Sequence, residues 1–245
     1  MIVMQYANNG SLPSYLDKNI NKMTWNMKLQ YLKDIAHNLR VIHDKHLIHC
    51  DLHGGNIILN ERSRSTRPLI CDLGLSKSVN YSSESSTSTI QGVLPYIAPE
   101  VLHSHKFTLK SDIYSFGIIM YQIADGEPPF RDYSSDNLLA MRICNGLRPE
   151  MPDSTPEEYK KLAERCCDAD PNNRPMDGNE LCLIIVRLLR EIKVNDNKWR
   201  AIYHNENIRP LSRIEKESRY SSRLLPTGNL PKPRNSYDID SVVQV

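Results

Sequence analysis

Residues 48–59 read IHCDLHGGNIIL, and residues 69–74 read LICDLG. Three polar side chains stand out within these two apolar stretches: Asp51, Asn56 and Asp72. Asp51 and Asn56 share one short loop, and Asp72 follows the next apolar run. We expect the three side chains to converge on one point, where their oxygen atoms would suit a hard cation such as Mg²⁺.

This set of polar groups matches the needs of phosphoryl transfer. One carboxylate can orient the attacking hydroxyl, while an amide and a second carboxylate hold a metal ion with the substrate phosphates. Asp51 is the predicted base, and Asn56 and Asp72 are the predicted metal ligands. Each group alone could simply mark a turn, since Asp and Gly are common turn residues. Only the combination indicates chemistry.

The two stretches resemble the catalytic loop HxDxxxxN and the metal-binding DFG motif of protein kinases. Three further motifs follow in the family's order: GVLPYIAPE (92–100), DIYSFG (112–117) and PNNRP (171–175). They resemble the end of the kinase activation segment, the start of the family's buried central helix, and the segment with its late arginine. The resemblance implies a buried ion pair between Arg174 and Glu100.

The resemblance implies an α+β, protein kinase-like fold. A truncated kinase domain, mainly a helical C-terminal lobe, would occupy residues 1–192, with the family's N-terminal β lobe largely absent. The family's cofactors are ATP and Mg²⁺, and its reaction transfers the γ-phosphate to a protein hydroxyl, here serine or threonine with tyrosine left open. Met4, Gln5 and Ala7 would contact adenine, and Ile58 would form the floor of its pocket.

Several residues depart from the most common kinase pattern. Cys50 replaces an arginine and Leu73 a phenylalanine, which resembles the tyrosine-kinase-like, non-RD group. His53 stands where serine/threonine kinases have lysine, and Val93 where they have threonine, so the acceptor specificity stays open. Asp72 counts in this family both as a metal ligand and as part of the nucleotide site.

The sequence before the first helix contains no Gly-rich phosphate loop and no ATP-binding lysine of the family's type. We therefore expect the chain to be a piece of a longer kinase, with the missing N-terminal lobe as a partner, and to be inactive by itself. Two alternatives are a non-catalytic kinase-like binding module and, less favoured, a small-molecule phosphotransferase of the aminoglycoside or choline kinase type. The motifs at 92–100 and 112–117 favour a protein kinase.

The amino-acid composition of the chain argues against several classes of protein. The 245 residues include 31 Lys and Arg against 29 Asp and Glu, so the net charge of +2 argues against a nucleic-acid binder. The six cysteines form no CxxC pair, which favours reduced thiols and a cytoplasmic location over a zinc site. No secretory signal is recognisable, and the most apolar run, 181–189, is shorter than the roughly 20 residues of a membrane span.

Apolar periodicity and short apolar runs predict helices and strands along the chain. Thr24 and Ser111 are the expected N-caps of the first two helices, and Gly126 is the expected stop of the second. The predicted helices cover 25–43, 111–124, 136–146, 156–167 and 177–192, and the predicted strands cover 47–48, 57–59 and 69–71. Residues 77–91 are expected to form a surface loop, and 193–245 a polar, disordered tail.

Overall fold

The computed structural model describes residues 8–62, 65–80, 89–194, 220–225 and 230–236. The α-helices within these ranges are Leu12–Asn19 (α1), Trp25–Asp44 (α2), Pro99–Ser104 (α3), Leu109–Asp125 (α4), Asp136–Cys144 (α5), Glu157–Cys166 (α6) and Gly178–Val194 (α7). The strands are Leu47–Ile48 (β1), Ile57–Arg62 (β2), Ser65–Ile70 (β3), Lys77–Ser78 (β4), Ile90–Gly92 (β5) and Arg223–Leu225 (β6). They form three antiparallel pairs, β1 with β4, β2 with β3 and β5 with β6.

Helix α2 confirms the first predicted helix and its cap. Thr24 is extended, and its side chain accepts a hydrogen bond from the Met27 amide at 3.3 Å. Apolar side chains recur along the helix at three- and four-residue steps, and this face packs against α7 and α4. The helix therefore owes its stability mainly to the burial of one side.

Helix α4 is buried along nearly its whole length, as its apolar composition predicts. The predicted cap was wrong: the helix begins at Leu109 because Thr108 caps it. The Ser111 amide donates to Thr108 Oγ1 at 3.3 Å, and the Thr108 amide donates to Ser111 Oγ at 3.0 Å. Ser111 is thus the third residue of a capping box. Gly126 ends the helix with a left-handed φ of 86°, as predicted.

The other three predicted helices are present as α5, α6 and α7, with ends within two residues of the predicted ones. Cys166 and Cys167 are buried where α6 meets α4. A Cβ atom on Gly117 of α4 would lie 2.5 Å from the Cys167 sulfur, so the two helices approach closely at this glycine. The sequence did not predict α1 or α3, which are too short for a clear period.

Two segments of the predicted tail lie against the helices. Residues 220–225 include β6, which pairs with β5, and Leu225 is only 4% exposed. In the second segment, 230–236, the Asn235 side chain accepts from the Ala169 amide at 2.8 Å. Both segments are anchored by contacts distant in sequence, which apolar periodicity cannot reveal. The expectation of a disordered tail therefore does not describe these two segments.

Within the described ranges, none of the helices combines the length and the apolar character needed to cross a membrane.

Candidate active site

The loop that carries Asp51 is bound to helix α4 through the buried carboxylate of Asp112. Asp112 accepts hydrogen bonds from the backbone amides of His49 at 2.7 Å and Cys50 at 3.1 Å. Its Oδ2 also faces His43 Nε2 at 3.1 Å, and because His43 Nδ1 accepts from a backbone amide, Nε2 is the donor. Three donors therefore stabilise the buried charge. The two backbone hydrogen bonds to Asp112 also hold Cys50 in a left-handed conformation, with φ of 67°.

His49 joins the Asp51 loop to the segment that leads to Asp72. Its Nδ1 accepts from the Asp51 amide at 3.3 Å, and its Nε2 faces the Cys71 carbonyl at 3.2 Å. These two partners fit one neutral tautomer, with the proton on Nε2. The Cys71 amide in turn donates to the Asn56 carbonyl at 2.9 Å. One hydrogen-bonded unit thus carries all three predicted site residues.

The structure brings Asp51 and Asn56 together. The Asn56 side-chain nitrogen donates to the Asp51 carbonyl at 2.9 Å and lies 3.5 Å from Asp51 Oδ2. Because its nitrogen is used in this way, Asn56 has its amide oxygen left for a further ligand. Asp72 is exposed, and its Oδ1 accepts from the Gly74 amide at 3.1 Å. Its negative charge contributes to the rise in the pKa of the Asp51 carboxyl.

Asp51 is poorly hydrated, with a residue exposure of 7%. Burial raises the pKa of this carboxyl above its ordinary value, and the negative charge of Asp72 adds to the rise. The hydroxyl of Ser222, the imidazole of His49 and the amide of Asn56 act in the opposite direction. A buried carboxylate with a raised pKa is a suitable proton acceptor and favours a nearby cation.

His53 is buried beside Asp51 and carries no charge at neutral pH. Its Nδ1 accepts from the Gly55 amide at 3.0 Å, and its Nε2 lies 3.7 Å from Asp51 Oδ2. Burial lowers the pKa of His53 to about 4. Its ring packs against Tyr96 with centroids 5.9 Å apart. His53 therefore does not supply the positive charge of a lysine at this place.

A buried amide of α4 supports the turn that follows Asp51. Gln122 Oε1 accepts from the Tyr96 hydroxyl at 2.8 Å. A Cβ atom on Gly54 would lie 2.5 Å from the same oxygen, so only glycine fits there without a shift. Asp112 stands in the motif at 112–117 without a predicted role of its own, and Gln122 was not among the predicted site residues. A polar residue within an otherwise apolar helix was the available signal for both.

The residues present fit a magnesium ion that is held together with phosphates. Asn56 offers an amide oxygen, and Asp72 offers an exposed carboxylate whose charge disfavours ionisation of Asp51. Within the described ranges, no group of three or more His, Cys, Asp or Glu side chains gathers into a cation site. Such a cation would take its other ligands from phosphate and water, which is common for Mg²⁺.

The predicted adenine contacts are only partly covered by the structure. Met4, Gln5 and Ala7 lie outside the described residues. Ile58 is half-buried in β2, where it forms an antiparallel bridge with Ser11. It thus lies beside the segment that follows the first seven residues, and its role in the adenine pocket stays a prediction.

The ion pair implied for the late arginine is confirmed. Arg174 NH1 and NH2 donate to the two carboxylate oxygens of Glu100 at 2.8 and 2.7 Å. The Arg174 side chain is fully buried, and its Nε donates to the Asp168 carbonyl at 2.8 Å. This bidentate pair ties the start of α3 to the segment before α7.

Comparison with known proteins settles the family. The family model described as protein tyrosine and serine/threonine kinase matches residues 1–179. The chain belongs to this kinase family. It is 30% identical over 226 residues to the dual specificity protein kinase zakA of Dictyostelium discoideum, covering 86% of this chain and 27% of that protein.

Two further kinases of the same organism are similar to this chain. A probable serine/threonine-protein kinase is 31% identical over 181 residues, which is 71% of this chain and 13% of that protein. The probable serine/threonine-protein kinase roco8 is 34% identical over 204 residues, which is 78% of this chain and 10% of that protein. The chain thus spans about a quarter or less of the length of these three relatives.

Proposed function

We propose that the natural gene product that carries these 245 residues transfers the γ-phosphate of ATP to serine or threonine hydroxyls of other proteins in signalling, with tyrosine left open, and that the 245 residues are inactive by themselves. Family membership supports the reaction type, and relatives named as serine/threonine or dual specificity kinases support the acceptor class. The observation that carries the proposal is the joint placement of Asp51 and Asn56, with the Asn56 amide on the Asp51 carbonyl at 2.9 Å.

In this proposal Asp51 orients the acceptor hydroxyl and takes its proton. Its burial and raised pKa suit a base that must bind a neutral hydroxyl before it is protonated. Asn56 and Asp72 hold Mg²⁺, which neutralises phosphate charge when bound. Because the side-chain nitrogen of Asn56 donates to the Asp51 carbonyl, the side-chain oxygen of Asn56 is left for the metal ion. Asn56 therefore connects the proposed base to the proposed metal site.

We further propose that this kinase belongs to the tyrosine-kinase-like, non-RD group. Cys50 is buried, and burial raises the pKa of its thiol to about 12, so it is a neutral group. It therefore cannot pair with a phosphorylated activation loop as an arginine does. No feature of the described residues favours the non-catalytic or the small-molecule alternative over a protein kinase.

The first prediction concerns the base. We expect Asp51→Asn in the natural gene product that carries these 245 residues to lower phosphoryl transfer at least about 100-fold, because the amide cannot accept the proton. The measurement is transfer of labelled γ-phosphate from ATP to casein. Asp132→Asn, in an exposed loop, is the matched control and should keep the original rate. A rate for Asp51→Asn equal to that of the control would contradict the proposal.

A further inference from the structure

A segment of the chain itself lies beside the proposed base. Strand β6 pairs antiparallel with β5, so that Arg223 is opposite Gly92 and Leu225 is opposite Ile90. Gly92 adjoins the proposed active site, because a Cβ atom there would lie 3.4 Å from Asp51 Oδ1. The residue before β6, Ser222, therefore reaches the Asp51 carboxylate.

The Ser222 hydroxyl is directed into this site. Its oxygen is buried, and it meets no described protein group with full hydrogen-bond geometry. It is nevertheless close enough to Asp51 to lower the pKa of that carboxyl. A serine hydroxyl that is buried and faces a candidate base is in the place where an acceptor hydroxyl would have to be.

Side chains on both sides of Ser222 fix the segment in this register. The Arg223 guanidinium contacts Asp136 Oδ2 at 2.7 Å, at the first residue of α5. The Tyr220 hydroxyl donates to the Pro129 carbonyl at 3.1 Å. Leu225 is 4% exposed and joins the hydrophobic core. We call the surface formed by β5, Asp51, Pro129 and Asp136 the acceptor groove.

We infer that residues 220–225 occupy the acceptor groove as an internal substrate mimic, with Ser222 in the place of the phosphate-accepting residue. The inference rests on the proposed kinase function and names the peptide that its site recognises. That peptide has a hydroxyl residue, a basic residue directly after it to pair with Asp136, and an apolar residue at the third position after it. The internal segment competes with such peptides.

The test is binding of a labelled peptide with the sequence of residues 218–227 to the 245-residue chain, followed by fluorescence anisotropy. Arg223→Glu places two negative charges together and releases the internal segment. We expect this variant to bind the peptide about tenfold more tightly than the original chain, since a tethered competitor acts at about millimolar effective concentration. Lys232→Glu, the same charge change at an exposed position of the tail, is the matched control and should bind like the original chain.

A double variant tests the Asp136 contact itself. Asp136→Arg combined with Arg223→Glu restores an ion pair of reversed sign, so the internal segment should return. Peptide binding falls in this variant in either case, since Asp136→Arg also repels the arginine of the peptide, and hydrogen exchange is therefore the deciding measurement. The amides of 223–225 should be protected in the original and double-variant chains and unprotected in Arg223→Glu. Thermal melting of each variant shows that it is folded.

The outcomes separate this inference from the proposed function. Equal peptide binding by the original chain and Arg223→Glu, or no binding by either, would overturn the inference. It would leave the kinase proposal standing if the natural gene product phosphorylates casein. Tighter binding by Arg223→Glu, with no phosphoryl transfer to casein by the natural gene product, would support the groove and overturn the kinase proposal.

Discussion

Asp51 and His53 respond to the same poorly hydrated surroundings in the direction that favours their neutral forms. Burial raises the pKa of the Asp51 carboxyl and lowers the pKa of the His53 imidazole to about 4. His53 therefore cannot neutralise Asp51 at pH 7, although Nε2 and Oδ2 are 3.7 Å apart. The site has an excess of negative charge, which Mg²⁺ and a basic peptide would both relieve.

The lowered pKa of His53 predicts an acid-sensitive fold. The unfolded chain binds a proton at this imidazole near pH 6.5, whereas the folded chain resists it until about pH 4. Stability from this group is therefore complete above pH 6.5 and is lost as the pH falls towards 4. When the pH falls from 6.5 to 4.5, both proteins lose unfolding free energy. We expect the loss to be about 2 kcal/mol smaller in His53→Gln than in the original chain.

Urea unfolding at both pH values measures this difference, and His37→Gln is its matched control. His37 is exposed on α2, so its removal should leave the acid loss unchanged. The same acid loss in His53→Gln as in the original chain would show that His53 titrates normally.

The sequence predicts three site residues, Asp51, Asn56 and Asp72, because they stand in a motif with a chemical purpose, and their catalytic and metal-binding roles stay predictions. It could not predict the neutral state of His53. That state depends on burial by Tyr96 and other residues distant in sequence. Likewise, nothing near Ser222 in the sequence indicates that its hydroxyl reaches Asp51.

Among the elements of the fold, helix α4 positions the loop that carries Asp51 through its residue Asp112. The backbone amides of His49 and Cys50 both depend on this carboxylate. We expect Asp112→Asn to lose about 2 kcal/mol of unfolding free energy, because its NH₂ group faces a backbone donor. Phosphoryl transfer should fall through kcat rather than through the KM for ATP, since Asp51 is displaced.

Urea unfolding and steady-state kinetics measure these two effects. Asp132→Asn makes the same chemical change at an exposed site and should alter neither. Original stability and original kcat in Asp112→Asn would refute the positioning role.

The ion pair between α3 and the segment before α7 gives a second prediction at this scale. Glu100→Gln leaves the fully buried Arg174 without its counter-charge, and we expect a loss of about 3 kcal/mol in unfolding free energy. Glu158→Gln removes a partner of Lys161 in an exposed pair and should cost less than about 0.5 kcal/mol. Urea unfolding of both variants decides the matter, and equal losses would argue against a structural role for the buried pair.

Elements with a long apolar period were predictable, and those stabilised by remote partners were not. Helices α2 and α5–α7 follow from their periodicity and α4 from its apolar composition, whereas β6 has three residues and gains its stability by pairing with β5. The capping box of α4 was misjudged because Thr108 and Ser111 are both good caps. Their reciprocal hydrogen bonds decide which of the two begins the helix.

For the whole molecule, one of the two described C-terminal segments lies on the surface where the proposed chemistry occurs. Residues 220–225 cover β5 beside Asp51, and residues 230–236 contact the segment near Asp168. Under the proposed function, a kinase assay would therefore report both the chemistry of the site and the release of this internal segment. Removal of residues 220–225 would change the access of peptides to the acceptor groove, whereas substitution of Asp51 or Asp72 would change the chemical step.

The central claim is that Asp51 acts as the base on the acceptor hydroxyl while Asn56 and Asp72 hold Mg²⁺ with the phosphates of ATP. The most direct measurement is the rate of γ-phosphate transfer to casein by the natural gene product, as a function of Mg²⁺ concentration, for the original protein and Asp72→Asn. We expect the original protein to require Mg²⁺ and Asp72→Asn to be at least about 100-fold slower, with partial recovery at high Mg²⁺. An unchanged rate and unchanged Mg²⁺ dependence in Asp72→Asn would contradict the claim.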